Sequence, residues 1–175
     1  MKITKDFLMA KHACKGGVDW FIRHFGEEAE YQSVLDRLAQ DNLSNWAEWL
    51  LSRVGPIDAV MELTGETTIM GHLFVAGTLK CAASLSVSLS IKAGSGIKAG
   101  CGIKAGWGIK AGEGIEAGGD IKAGGGIEAG EDFGIYCGLS IQLSMKVQYA
   151  VVVAKTEPKN LLLGTYQTPE RISSK

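Results

Sequence analysis

The chain has 175 residues and a formal net charge of −1, with 18 basic and 19 acidic side chains. This length suits one or two small domains, and the balanced charge provides no bulk attraction to nucleic acid or to an anionic membrane. The sequence has no apolar run near the roughly 20 residues that span a bilayer, and its N-terminus lacks the apolar core of a signal peptide. We therefore expect a cytoplasmic protein without membrane or nucleic-acid partners.

Residues 1–64 are predicted to form a helical domain, because they contain few glycines and three of the four tryptophans. Thr4 is placed to cap a first helix through Phe7–Met9. Gly26 is expected to end the second helix, Asn42 or Ser44 to cap the fourth, and Gly55-Pro56 to end it. The expected inward stripes are Val18, Phe21, Ile22 and Phe25 in a helix near 18–25, Tyr31, Val34, Leu35 and Leu38 in a helix near 29–39, and Trp46, Trp49, Leu50 and Val54 in the fourth helix.

A six-residue repeat dominates the stretch from Ile91 to Gly130. Isoleucine recurs at 91, 97, 103, 109, 115, 121 and 127, and alanine follows each isoleucine by two positions. A fixed short period indicates one structural unit stacked on copies of itself. Collagen would require glycine at every third position, and so many glycines would destabilise a helix by about 1 kcal/mol each. The alternation of apolar odd positions with polar or glycine even positions predicts β-strands.

Residues 65–154 are therefore predicted to form a triangular β-solenoid with about 18 residues per coil and about four coils, so that the chain as a whole is α+β. Odd positions from Leu73 to Val153 are expected to point inward, including Phe133, Leu139, Val151, Val153 and the odd positions 141–149. The residue between the two glycines of each hexad is expected at a corner, where glycine supplies unusual φ/ψ values. The corner positions are Ser95, Cys101, Trp107, Glu113, Gly119, Gly125 and Glu131.

Three segments lie at the ends of the predicted solenoid. Ile57–Leu63 is either a last helix or the first solenoid strand, and a helical domain beside it would cap the strand edges at that end. In the tail, residues 155–175, Pro158 and Pro169 interrupt strand pairing. Leu161–Leu163, followed by Tyr166, either folds back on the solenoid or forms an oligomer contact.

Two stretches resemble known families. The hexad Gly119–Gly124, Gly-Asp-Ile-Lys-Ala-Gly, is similar to the repeats of bactofilins, which implies a triangular β-helix; bactofilins lack the helical N-terminus, so filament formation is not carried over. The opening Met1–Lys5, the segment Ala13–Phe21 and the segment Asn45–Leu51 resemble uncharacterised phage and prophage proteins that join a helical module to tails with Gly-Ile-Lys-Ala-Gly hexads. That resemblance implies a viral or mobile-element origin and no established catalytic activity.

The residue patterns predict no catalytic site, cofactor or metal. Gly-x-Gly recurs at solenoid corners rather than between a strand and a helix, which argues against a nucleotide loop. The three histidines, His12, His24 and His72, are scattered, and the cysteines lack metal-ligand spacing. Glu113 and Glu131 are expected one coil apart at one corner, as a solvated column rather than an acid–base pair.

Two functions remain open. The first is a non-enzymatic interaction protein that binds, and in a phage setting blocks, a host complex such as a defence system. The second is a structural protein that acts through homo-oligomerisation. The candidate interface residues are Trp107, Glu113, Glu131, Leu161, Leu162, Leu163 and Tyr166.

Overall fold

The structure is a computed structural model that describes residues 1–139 and 150–169. It confirms the predicted α+β architecture: four helices within residues 1–54 are followed by a parallel β-solenoid of about five turns, with paired strands roughly 18 residues apart. The solenoid has more turns than the four coils predicted, because strands at 60–63 and at 161–167 add to the expected run.

The helices begin and end close to the positions that the capping signals predict. The hydroxyl of Thr4 accepts a hydrogen bond of 3.0 Å from the Phe7 N–H, and Gly26 ends the second helix with φ 75°. The cap predicted for the fourth helix is wrong, since Leu43 occupies that position and provides no side-chain hydrogen bond. The helices are α1 (Lys5–Ala10), α2 (Lys15–Phe25), α3 (Tyr31–Gln40) and α4 (Ser44–Val54), and the antiparallel pair β1 (Lys2–Thr4) and β2 (Glu28–Glu30) flanks α1 and α2.

Helix α3 buries all four residues of its predicted stripe, whereas α2 and α4 present different faces. Ile22 of α2 is 37% exposed, because the inner face of α2 is rotated toward Trp20, whose ring lies 6.1 Å from the ring of Trp46. In α4 the buried residues are Ala47, Leu50 and Leu51, while Trp46, Trp49 and Val54 are half-buried. Neighbouring elements cover only part of the apolar stripes of α2 and α4, so the sequence pattern does not settle which part of these two stripes is buried.

The solenoid strands form three parallel sheets, one for each face of the prism. In chain order they are β3 (Val60–Leu63), β4 (Thr67–Ile69), β5 (Leu73–Val75), β6 (Thr78–Cys81), β7 (Leu85–Val87), β8 (Ile91–Ala93), β9 (Ile97–Ala99), β10 (Ile103–Ala105), β11 (Ile109–Ala111), β12 (Ile115–Ala117), β13 (Ile121–Ala123), β14 (Ile127–Glu128), β15 (Ile135–Tyr136), β16 (Val151–Val153), β17 (Leu161–Leu163) and β18 (Thr165–Gln167). The first face stacks β3, β6, β9, β12, β15 and β17; the second stacks β4, β7, β10, β13, β16 and β18; the third stacks β5, β8, β11 and β14.

The isoleucines of the repeats fill the inside of the prism. Ile109 pairs in register with Ile91 on one side and with Ile127 on the other, and Ile97 and Ile115 are fully buried. Identical apolar side chains therefore lie directly above one another in the coils built from the hexads, and Leu73, Leu79 and Leu85 continue the columns in the preceding coil. This stacking explains why the hexad tolerates no insertion between Ile91 and Gly130.

The inward register predicted beyond Gly130 is wrong in detail. Phe133 is 45% and Leu139 is 51% exposed, and Val152 instead of Val151 or Val153 stacks on Ile121. Ile135 pairs with Ile115 and lies 20 residues after it, rather than the usual 18. Val152 pairs with Ile121 and lies 31 residues after it. An insertion of odd length exchanges the inward and outward positions of a strand. The predictions for the odd positions 141–149 lie outside the described residues.

The glycines of the hexads are required by close approach of the coils. Among the described residues, glycines with positive φ are Gly26, Gly55, Gly71, Gly138 and Gly164, and none lies between Ile91 and Gly130. The predicted need for unusual φ/ψ values is therefore wrong. The first glycine of most hexads instead lies so close to a carbonyl of the preceding coil that an added Cβ would come within 3.0 Å of it; this set is Gly94, Gly100, Gly106, Gly112, Gly124 and Gly130.

The helical region covers the beginning of the third face and part of its outer surface. The side chain of Gln32 in α3 donates to the Phe74 carbonyl at 2.8 Å and accepts from the Ala76 N–H at 2.9 Å, so that it pairs with β5 as a neighbouring strand would. In α4, Glu48 accepts hydrogen bonds of 2.7 Å from Lys92 and from Lys110, the outer residues of β8 and β11. These hydrogen bonds from Lys110 and Lys92 lower the pKa of Glu48 to about 2.

Candidate interaction surfaces

Trp107 lies at a solenoid corner, between β10 and β11, with its backbone N–H donating to the Leu89 carbonyl at 3.0 Å. Its side chain is 57% exposed. The ring contacts His72 edge to face at 5.5 Å, and His72 stacks on Phe74 with 5.0 Å between the ring centroids. Trp107 is therefore an exposed aromatic residue that a buried aromatic stack holds in place.

The partner of Trp107, His72, is buried, and its Nδ1 accepts a hydrogen bond of 3.2 Å from the Ser90 N–H. Burial lowers the pKa of His72, and the positive charge of Lys92 lowers it further. The imidazole is therefore neutral near pH 7, as its accepting Nδ1 requires.

The two glutamates predicted at one corner are not stacked in the same way as the other corner residues. The N–H of Glu113 donates to the Ser95 carbonyl at 3.2 Å, so Glu113 continues its corner column. In the next coil, the Gly130 N–H and not that of Glu131 donates to the Glu113 carbonyl, at 3.1 Å. Glu131 instead lies exposed in the turn that the two-residue insertion creates. The expected column of carboxylates therefore ends at Glu113.

Leu161–Leu163 folds back on the solenoid and still presents apolar surface. Leu161 pairs with Ile135 and packs against the core. Leu162 and Leu163 are 65% and 44% exposed, because an irregularity in the pairing of β15 with β17 turns them away from the core. Tyr166 in β18 is half-buried, and its hydroxyl donates to the Ala154 carbonyl at 3.1 Å.

An apolar groove of about 330 Å³ in the helical region was not predicted from the sequence. Trp20, Trp46 and Trp49 line it and are half-buried. The indole N–H of Trp20 donates to the Asp41 carboxylate at 2.8 Å; this bond, followed by that from Arg37, lowers the pKa of Asp41. The sequence predicted these tryptophans as core residues, and they are half-buried because the packing of the helices covers only one side of each ring.

Within residues 1–139 and 150–169, no set of three or more histidine, cysteine, aspartate or glutamate side chains is arranged to hold a metal ion. The four cysteines are free, with Cys14 and Cys101 exposed. In the same part of the chain, none of the helices has the length and apolar character that crossing a membrane requires.

One family model matches the chain, and it covers the helical region. Residues 1–54 match the YdhT N-terminal domain, which is found in phage- or prophage-like proteins. No curated protein and no solved structure matches the chain, so the resemblance of the solenoid to bactofilins stays a prediction.

The YdhT match ends at the last residue of α4 and therefore divides the surfaces between two parts of the chain. The tryptophan groove and the residues that dock on the third face, Gln32 and Glu48, lie inside it. Trp107 and Leu161–Leu163 lie in the solenoid, outside the match. The two parts contact each other through the Gln32 side chain, which bonds to the backbone of β5, and through the ion pair of Glu48 with Lys92.

Proposed function

We propose that the chain is a non-enzymatic interaction protein of phage or prophage type, in which the rigid β-solenoid binds a host macromolecular complex, such as a defence system, and blocks it. The observation that carries this proposal is the exposed ring of Trp107, which His72 and Phe74 hold in one orientation. Tryptophan is enriched among the residues that dominate binding energies at protein interfaces. An ordered anchor also loses less conformational entropy on binding than a mobile one.

The outer surface of the solenoid favours a protein partner over mimicry of duplex DNA. Mimicry would need a strongly acidic surface, whereas Lys80, Lys98, Lys104 and Lys122 are exposed on the first and second faces. Only Lys98 and Lys122 of these have an acidic partner among the described residues, namely Glu116 and Asp120. A partner with an acidic patch beside an apolar pocket would complement both the lysines and Trp107.

The test is capture of the partner from host cells by the tagged full chain, followed by mass spectrometry. Trp107→Ala is expected to lose the partner while it keeps the circular dichroism and melting temperature of the wild type. Phe133→Ala is the matched control, because it also removes an exposed aromatic side chain from the solenoid. If no protein rises above background, or if both variants retain the same partner, the proposal fails. Inhibition of the captured complex by the purified chain would then test the blocking step.

A second candidate is a structural protein that forms homo-oligomers through the end of the solenoid. The observation that favours it is the exposure of Leu162 and Leu163 on β17, the last strand of the first face. Size-exclusion chromatography with light scattering is expected to show an oligomer that Leu162→Lys with Leu163→Lys dissociates. A monomer at every concentration would eliminate this function.

A further inference from the structure

The first coil leaves part of the prism interior uncovered. Met61 and Leu63 of β3 and Ile69 of β4 point into the core but are only half-buried. Their neighbours in the next coil, Leu79 and Cys81, are 0% and 4% exposed. Each coil is covered by the coil that precedes it, and no strand of the described residues precedes β3 on the first face. The inward side chains of β3 therefore lack the cover that all later coils have on this side.

Along this edge, no strand of the described residues pairs with the backbone of β3. The Thr78 N–H donates to the Ala59 carbonyl at 2.7 Å, and the Ala82 N–H donates to the Leu63 carbonyl at 2.8 Å. In a parallel ladder, alternate residues bond to the same neighbour, so Val60 and Glu62 direct their N–H and C=O groups away from β6. Val60 is 50% exposed. An edge of this kind is a template for pairing with another chain.

The start of the edge, at Val60 and Met61, borders a groove of about 310 Å³ that the solenoid shares with the helical region. Ala59, Val60 and Met61 form one side, and Met1 and Glu30 belong to the other. The helical region therefore stands beside the start of β3, which favours a single extended chain over the flat end of a second solenoid as the occupant. The neighbouring edge, that of β5, is already covered by the Gln32 side chain.

The exposed charges beside the edge are mainly acidic, although Lys80 lies next to Glu62 in register on β6. Asp58, Glu62 and Glu66 are exposed, and residues 1–139 and 150–169 offer these three carboxylates no ion pair. An incoming strand with basic side chains on its outer side would neutralise them. An apolar side chain at every second position would at the same time cover Met61 and Leu63, because side chains of a strand alternate between its faces.

We propose that the free edge of β3 binds an extended segment of a partner protein by strand addition, and that this segment alternates apolar residues with lysine or arginine. The added strand continues the first face of the solenoid beneath β3. This site rests on the proposed role as an interaction protein, but it is separate from Trp107, so the two can be tested independently.

The probe is a fluorescent synthetic peptide of about ten residues in which valine and lysine alternate, enough for one strand. Two control peptides carry the opposite charge, with glutamate in place of lysine, or the same side chains with every second amide N-methylated. We expect the full chain to bind the valine–lysine peptide and neither control. Hydrogen exchange measured by NMR is expected to show that the amides of Val60 and Glu62 become protected when this peptide binds.

Two variants of the chain test the same edge. Val60→Pro removes an N–H that does not bond to β6 and is expected to weaken peptide binding by at least about fivefold. Glu62→Lys is expected to weaken it by about two- to fivefold, whereas the matched control Glu157→Lys, at the other end of the solenoid, leaves it unchanged. If Val60→Pro does not fold, protection of the Val60 and Glu62 amides in the wild type on peptide binding tests the site instead.

The proposal is overturned if the valine–lysine peptide does not bind, if N-methylation does not weaken binding, or if protection appears at β17 instead of β3. The result also stands apart from the test of Trp107. Peptide binding that persists in Trp107→Ala, together with failed capture of a host partner, would refute the proposed function and keep the β3 site. Capture of a host partner without binding of the peptide would support the proposed function and refute the β3 site.

Discussion

The spacing of the coils predicts that two glycines on either side of one corner respond very differently to alanine. Gly106 and Gly108 both flank Trp107, and neither has a positive φ. A Cβ added at Gly106 would come closer than 3.0 Å to the Ser88 carbonyl, whereas one added at Gly108 would lie 3.3 Å from the Gly126 carbonyl. The first obstacle is backbone and cannot rotate away.

Gly106→Ala must therefore push two coils apart. This movement lengthens the ladder hydrogen bonds from the Gly106 N–H to the Val87 carbonyl and from the Trp107 N–H to the Leu89 carbonyl, both 3.0 Å. Overpacking and weakened hydrogen bonds together lower the free energy of unfolding by roughly 2–5 kcal/mol. For a chain of this length, the melting temperature would fall by roughly 5–20 °C.

Gly108→Ala requires a shift of only a few tenths of an ångström, and the lost freedom of the unfolded chain offsets the strain by about 0.4–1 kcal/mol. We expect its melting temperature, measured by circular dichroism, to stay within a few degrees of the wild type. Equal destabilisation by the two variants would refute the steric explanation, since it would mean that the corner conformation rather than the coil spacing requires glycine.

Three further predictions concern the core and the contact between the helices and the solenoid. Ile109→Asp buries an unpaired charge and is expected to lower the free energy of unfolding, measured in urea, by more than about 3 kcal/mol. Lys104→Asp, on the outer surface, is the near-neutral control. Retained stability of Ile109→Asp would contradict the inward register. Glu48 has a depressed pKa, so its stabilisation is present above about pH 4.5 and is lost as the pH falls toward 2. Because the side chain is 42% exposed, Glu48→Gln should reduce the loss of unfolding free energy between about pH 6 and about pH 3, measured by urea unfolding, by only about 1 kcal/mol. An unchanged loss would show that these ion pairs are not formed. Gln32→Leu leaves the Phe74 carbonyl and the Ala76 N–H without their partner and should lower the free energy of unfolding by about 1–3 kcal/mol. Ser33→Ala, exposed on the same helix, should leave it unchanged. Equal melting temperatures of the two variants would exclude a capping role for the Gln32 amide.

The local patterns were sufficient to predict the four helices and the hexad strands, but not the antiparallel pair β1 and β2. Thr4 and Gly26 predicted helix ends because a cap depends on a few neighbouring atoms of the chain. The sequence predicted one inward isoleucine in each hexad because alternate side chains of a strand must lie on opposite faces. The corner position of Trp107 followed from the same register.

Contacts between distant residues decided what these patterns left open. The inserted turn at Glu131 displaced Ile135 by two residues and kept it inside, whereas the longer spacing before Val152 exchanged the faces of β16. The sequence gives no local sign of where the pairing resumes. Only the stacked coils show that Gly106 makes room for a neighbouring carbonyl, since its φ is ordinary. The sequence by itself thus determined a solenoid with isoleucine inside, because periodicity is a property of the chain; the tertiary structure decided which edges are covered, because the Gln32 amide reaches β5 and leaves β3 free.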